Sequence, residues 1–521
     1  MRRAETESIV VQTSERQRDN TGTGSEGTRA TANIGAVLAT GGNPVTFPDG
    51  ELGRWSALGT VTDRAVRVWL RDPSGEPQRV TLEIGGVERA SATLTPDPEH
   101  DWTAAGDVVL EEPAPDAAFT VYAAGQARRG RLAPHQDTPT PFSFAFGSCH
   151  QPFGPPENGV LTTTPRTGIF RQLAGVLAAN DSRFLALIGD QIYSDGVEPI
   201  NIRDQIKQFT PAPTDEQLRE AFRWLYRGYF NVPDFRHLLE AQPTVMSWDD
   251  HDITEGWGAL IDWDDLDWRM FRAAEATYRE YQHTRHVGSS VDDRATYHRS
   301  FWFGDVGFFV LDLRSVRNYR EGRLLGDRQW TDFYRFLETA TERNTRTVFV
   351  IAGIPLVHHA PALVRLAERV KHRYGTDLRD RWSARPIEHE RVRFLDLVLD
   401  WQSARPGRQV ALLSGDVHAG GAFTIERKGR RGVVHQWTAS PLSTKAALPE
   451  HLANVIGSQL VNWGETRYHN TRTALVLGNN FGLVKVHPLA EGGHRIELLL
   501  HEYKPGRGVR VAAQVTGLPS A

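Results

Sequence analysis

Between about residue 50 and residue 138 apolar residues recur in short alternating runs. Two examples are Ala65-Val66-Arg67-Val68-Trp69-Leu70-Arg71 and Arg79-Val80-Thr81-Leu82-Glu83-Ile84, and the stretches DPSGEP, IGGVE and TPDPEHD break the pattern. A period of two with turn signals at regular spacing predicts a small β-sandwich of immunoglobulin or fibronectin type. Residues 1–35 are polar, without apolar periodicity, and are expected to form a disordered tail. The Pro-rich segment 133–141 reads as a linker, so the expected organisation is a tail (1–35), a β-sandwich domain (36–138) and a larger domain (139–521). In the larger domain β-type runs alternate with amphipathic stretches, which predicts a layered α/β fold. Strands are expected at Phe142–Phe146, Phe184–Ile188, Pro243–Trp248, Gly307–Leu313, Val348–Ile354, Gln409–Leu413 and Val433–Trp437. Helices are expected at 166–179, 215–229, 263–285, 327–343, 386–403 and 447–463.

Composition narrows the function. The 521 residues carry 60 basic and 64 acidic side chains, a net charge of −4, which argues against nucleic acid or an anionic membrane as a partner. Only six of the basic residues are lysine, a skew that reads as genome base composition before it reads as phosphate recognition. The longest apolar run, at 347–357, is too short to span a bilayer. Two arginines open the chain without the apolar segment of a signal peptide. The chain as written is therefore expected in the cytoplasm, or exported if translation starts elsewhere. The lone Cys149 excludes an internal disulfide and a cysteine–zinc cluster.

Four predicted strands end in groups that bind metals. Phe142–Phe146 runs into Gly147-Ser148-Cys149-His150, and Phe184–Ile188 into Gly189-Asp190-Gln191-Ile192-Tyr193. The next runs into Asp249-Asp250-His251-Asp252, and the Gln409 strand into Gly415-Asp416-Val417-His418. Taken singly, each has a structural reading: a buried thiol, a helix cap, a solvated turn, a core histidine. Their recurrence at one end of successive strands favours a shared site. Carboxylates suit hard ions, whereas thiolate, phenolate and imidazole suit a transition ion, so the mixture implies two unlike metals with Asp190 bridging. Two adjacent metals serve phosphoryl displacement, making phosphoester hydrolysis the leading chemistry. Cys149 as a nucleophile would leave the carboxylates unexplained.

At these residues the sequence resembles the PhoD-like alkaline phosphatase family of the metallophosphoesterase superfamily, over about 140–515. Cys149 and Tyr193 as ligands and Asp416 in the last block are that family's pattern. The resemblance implies a metallophosphoesterase-type β-sandwich core flanked by helices, with iron on Cys149, Asp190 and Tyr193 and calcium on the carboxylate side. Asp250, Asp416 and His418 are further implied ligands. His251 would contact the phosphate and protonate the leaving oxygen, and Asp252 would orient it. Arg314, in Leu311-Asp312-Leu313-Arg314, would steady the anionic substrate, its alternative being an ion pair with Asp312 or another carboxylate. The third block continues Ile253-Thr254-Glu255-Gly256-Trp257-Gly258, a departure from the family that bears on pocket shape. The segments 196–240 and 355–385 are expected to line the pocket, and His358 and His359 either line it or sit in an inert loop. Asn479-Asn480-Phe481-Gly482 is assigned to architecture. The expected activity is metal-dependent hydrolysis of a small or polymeric phosphate ester by metal-activated water. The alternatives are a phosphodiesterase or a non-catalytic metal-binding relative, and the oligomeric state is open.

Overall fold

The computed structural model describes residues 33–517 except 44, 260–262, 295 and 369–377. Most of the expected tail therefore lies outside the described residues. At its end, Ile34–Thr40 is a helix capped by Asn33, with Gly35 packed so closely on the helix Asp215–Phe230 that a Cβ would lie 2.4 Å from the Glu220 carbonyl. This helix joins the larger domain, and the strands of the small β unit begin at Trp55.

That unit has two antiparallel sheets. Trp55–Val61, Ala65–Arg71 and Thr103–Val109 form one; Val87–Leu94, Gln78–Ile84, Ala118–Ala123 and Gln126–Arg131 form the other. Alternation places Val66, Val68, Leu82, Phe119 and Val121 between them. Trp69 faces the other way and donates to the Glu280 carbonyl at 2.7 Å.

The larger domain stacks a six-stranded sheet on a seven-stranded one. The first has the order Thr244–Ser247, Leu185–Ile188, Phe142–Gly147, Asn480–Pro488, His494–Lys504, Gly508–Gly517. The second runs Arg299–Phe303, Val306–Val310, Thr347–Ala352, Gln409–Ser414, Val433–Thr438, Gly420–Arg427, Tyr468–Val476. Phe144, Phe146 and Ile188 meet Phe308, Phe349, Leu413 and Trp437 between the sheets. The helices Gly168–Ala179, Asp215–Phe230, Pro233–Ala241 and Asp265–Tyr281 cover one outer face, and Gly326–Glu342 and Glu388–Ser403 the other. Strands buried on both faces read as continuous apolar runs, which is why the parallel strands were visible in the sequence.

Leu185–Ile188 pairs in parallel with both neighbours, as does Gln409–Ser414. The four strands with polar ends therefore point the same way within their sheets. Gly415 lets the sheets meet there, since a Cβ at this position would lie 2.2 Å from Ser148 Oγ and 2.5 Å from its Cβ.

Candidate metal centre

The strand ends are bonded directly to one another. The Cys149 amide donates to the Gly189 carbonyl and the His150 amide to the Asp190 carbonyl. Cys149, Asp190, Asp416 and His418 all have left-handed backbones, with φ of 65°, 55°, 63° and 51°. Each costs about 1 kcal/mol in a non-glycine residue, and such strain gathers where side-chain placement is fixed by its surroundings.

These turns aim four side chains at one point. Cys149 Sγ lies 3.3 Å from Asp190 Oδ2, Tyr193 Oη 3.5 Å from the same oxygen, and His418 Nε2 3.4 Å from Tyr193 Oη. Ser440 donates to Cys149 Sγ at 3.1 Å and Thr444 to Tyr193 Oη at 3.0 Å. Asn479 and Asn480 hold that supporting loop through the Thr444 and Ser440 carbonyls, in keeping with their expected architectural part. Burial, together with neighbouring negative charge, pushes the Cys149 thiol, the Tyr193 phenol and the Asp190 carboxyl well above their usual ranges. Three acidic groups crowded within 3.5 Å and made reluctant to ionise are the donor set that a cation reverses, so these residues fit a transition ion.

Asp190 also belongs to a second cluster. Ligand atoms of Asp190, Asp250 and His251 lie within 4.8 Å of one another, as do oxygens of Asp249, Asp250 and Asp416. Asp190 thus stands between a thiol–phenol–imidazole side and a carboxylate side, the arrangement expected of a bridging ligand. Asp190, Asp250, His251, Glu255, Arg381, Asp416 and His418 line a pocket of about 190 Å³, with Leu378, Pro449 and Ala453 as an apolar wall, while Cys149 and Tyr193 are buried and outside the lining. Of the two segments expected to line it, 355–385 contributes His359, Leu378 and Arg381, whereas 196–240 is absent from the lining and packs against the small β unit instead.

His251 sits in the pocket with its ring stacked on Tyr193, centroids 4.1 Å apart. Its Nδ1 meets Asp195 at 2.7 Å, and its Nε2 faces Glu255 at 3.6 Å. Burial alone would lower its pKa, but Asp195, Asp250 and Asp190 together raise it well above the usual value.

Two expectations need correction. Asp252 does not orient His251: its carboxylate accepts the backbone amides of Asp190, Gln191 and Asp249 and the Gln282 side chain, tying two strand ends together. Asp195 holds the imidazole, because the turn after Tyr193 carries it to the open side of the ring. Arg314 is fully buried and faces no substrate; its guanidinium is enclosed by Asp249, Asp250 and Asp380 and by the Trp257 carbonyl. Of its alternatives, the ion pair with carboxylates is the one realised, while Asp312 accepts only its backbone amide. The arginine at the pocket is Arg381, ion-paired with Asp416.

Of the two histidines expected to line the pocket or to sit in an inert loop, His359 reaches the lining and His358 does not. Burial lowers His358 to about 3 and His359 well below its usual value, so both are neutral and present Nε2–H to Asn454 Oδ1 at 3.0 and 3.1 Å. Asn454 in turn donates to the Val417 carbonyl at 2.7 Å, steadying the turn that carries His418. Asp195, Asp380, Arg381 and Glu450 escaped sequence reading. Asp195 had a signal, lying two residues beyond Tyr193 in the same block, whereas Arg381 and Glu450 follow no motif.

Comparison with known proteins agrees with this architecture. A solved structure of PhoD superimposes with a TM-score of 0.63 at 15% identity, covering 89% of this chain and 90% of that one. The purple acid phosphatase PPD1 from yellow lupin (Lupinus luteus) seeds gives 0.52 at 11% identity, with 88% and 73% covered. At these identities the likeness is one of fold. An uncharacterized protein of Saccharomyces cerevisiae is 23% identical over 309 residues, 44% of this chain, and the chain spans only 43% of that relative's length. The family model for PhoD-like phosphatases matches residues 144–492, so the chain belongs to the PhoD-like phosphatase family.

Proposed function

We propose that the chain is a metal-dependent phosphoric-ester hydrolase. The observation that carries this reading is the convergence of Cys149, Asp190, Tyr193 and His418 on one point beside Asp250 and Asp416, at the floor of an open pocket. Iron would be held by Cys149, Asp190, Tyr193 and His418, and calcium by Asp250 and Asp416, with Asp190 shared. When bound, such a pair supplies a water nucleophilic at neutral pH and neutralises the phosphoryl oxygens.

The chain's own residues do the rest. Arg381 lines the pocket beside Asp416 and offers planar donors to the non-bridging oxygens of a bound ester. Asp195 fixes the His251 ring through Nδ1, which leaves Nε2 directed into the pocket. From there Nε2–H gives its proton to the departing alkoxide. The apolar wall of Leu378, Pro449 and Ala453 provides a place for a second alcohol group, so a diester fits as well as a monoester.

The test is metal content by mass spectrometry on protein purified without chelator, together with hydrolysis of a chromogenic phosphomonoester and a phosphodiester before and after chelation. Iron and calcium are expected, with hydrolysis lost on chelation and restored on reloading. Protein free of metal, or hydrolysis that survives complete metal removal, would overturn the proposal.

A further inference from the structure

The helix Leu448–Gln459 meets the turn that carries Asp416 and His418 at two positions one helical turn apart, which places both on one face of the helix. At the first, Glu450 Oε2 lies 3.2 Å from His418 Nδ1. At the second, Asn454 Nδ2 donates to the Val417 carbonyl at 2.7 Å, while its Oδ1 accepts from His358 and His359. Asn454 is 2% exposed, so this second contact is anchored in the interior, and the same face carries Glu450 to the pocket. The turn held in this way is not a relaxed one. Between the strand that ends at Ser414 and the strand that begins at Gly420, Asp416 and His418 both have left-handed backbones.

A carboxylate only accepts, so the Glu450 contact requires the proton of the His418 ring to sit on Nδ1. In a neutral imidazole that leaves the lone pair on Nε2, and Nε2 is the atom that faces Tyr193 Oη at 3.4 Å, beside Cys149 and Asp190. A carboxylate on the far nitrogen fixes the tautomer and the ring angle of a metal-binding histidine and makes it a stronger donor. Glu450 also has an ordinary structural task, because the same Oε2 accepts the Ala447 amide at 2.9 Å and caps the helix. The cap explains a glutamate at the third helical position; it does not explain why that carboxylate meets the one ring nitrogen that points away from the centre.

We propose that Glu450 is a positioning residue of the metal centre: through His418 Nδ1 it sets the tautomer and orientation in which Nε2 takes the transition ion, while Asn454 fixes the turn beneath. The inference rests on the metal-dependent reading above and adds to it a residue that belongs to none of the four strand-end blocks. On the carboxylate side Asp250 and Asp416 are met by Arg314 and Arg381 instead, so Glu450 acts on one side of the centre.

The probe is cobalt(II), which suits a thiolate and imidazole donor set and reports the thiolate by a sulfur-to-cobalt absorption band, titrated into the full chain stripped of metal. In Glu450→Gln the side-chain oxygen still accepts the Ala447 amide, as glutamine does in a capping box, so the cap survives while the negative charge facing Nδ1–H is lost. The expected result is a cobalt dissociation constant raised about 10-fold or more, with calcium retention and the melting temperature of the stripped protein as in wild type. Glu450→Ala, which removes the cap as well, is expected to weaken cobalt at least as much and to lower that melting temperature. The proposal is overturned if Glu450→Gln binds cobalt as tightly as wild type. It is equally overturned if the loss of cobalt comes with an equal loss of calcium or with a lower melting temperature of the stripped Glu450→Gln protein, since either assigns Glu450 a structural part alone. Wild-type protein that shows no sulfur-to-cobalt band overturns the metal-centre reading itself, and this inference with it.

Discussion

At the scale of single residues, two aspartates that look interchangeable in the sequence have opposite duties. Asp252 is adjacent to His251 yet spends both oxygens on three backbone amides and Gln282, whereas Asp195, 56 residues away in sequence, contacts the ring. Replacing Asp195 with Asn should lower turnover by about 10- to 100-fold while leaving the melting temperature and metal content near wild type. Replacing Asp252 with Asn puts an amide where only acceptors fit and should cost roughly 1–3 kcal/mol of stability. Thermal unfolding beside steady-state kinetics separates the two, and a fall in stability for Asp195→Asn with activity kept would reverse the assignment. Adjacency in sequence misled here because a tight turn sends neighbouring side chains to opposite sides. Arg314 misled for a different reason: a strand-end arginine looks the same whether its fork meets a substrate or three buried carboxylates.

At the scale of elements, the parallel strands and the helices beside them were legible, since most of these strands are apolar runs that stop at glycine or aspartate, Val433–Thr438 being the exception. The antiparallel strands Gly420–Arg427, Tyr468–Val476, His494–Lys504 and Gly508–Gly517 were not anticipated, because they alternate weakly and carry polar residues such as Arg472 and His501. The helix Leu448–Gln459 was anticipated as an element, within the expected 447–463. What no sequence pattern gives is how closely the two sheets approach, and Gly415 governs that approach. Gly415→Ala would drive a methyl into Ser148, whose side chain is too short to swing clear, so the strand ends must separate. The expected result is a destabilisation of roughly 1–3 kcal/mol together with reduced metal occupancy, because Ser148 and Asp416 flank the centre. Unchanged metal content with unchanged stability would show that the sheets yield there without cost.

At the scale of the whole molecule, the small β unit is bound to the larger domain by buried charge as well as by aromatic packing. Asp101 accepts from Arg71 at 3.0 Å and from Arg227 at 3.1 Å, and Tyr281 donates to its other oxygen. Beside it, Arg223 pairs with Glu280, and the Arg285 guanidinium lies 4.3 Å from the Trp69 ring centroid. The arginine excess read as base composition thus includes side chains that build the interface, a use that composition cannot reveal. Burial would raise the Asp101 carboxyl, but Arg227 and Arg71 hold it below its usual value. A carboxyl more acidic when folded than unfolded contributes stability that is complete above the unfolded pKa, near 4, and is lost as pH falls toward the folded one. Asp101→Asn removes one partner of a buried pair and leaves two arginines facing an amide, at a cost of roughly 3–5 kcal/mol near neutral pH. Thermal unfolding of both proteins from pH 7 down to pH 3 should therefore show a wide gap that narrows below pH 4, where Asp101 of the unfolded wild-type chain takes up its proton before the folded one does. A gap of constant width across that range would mean that the Asp101 charge contributes nothing to holding the small β unit against the site-bearing domain.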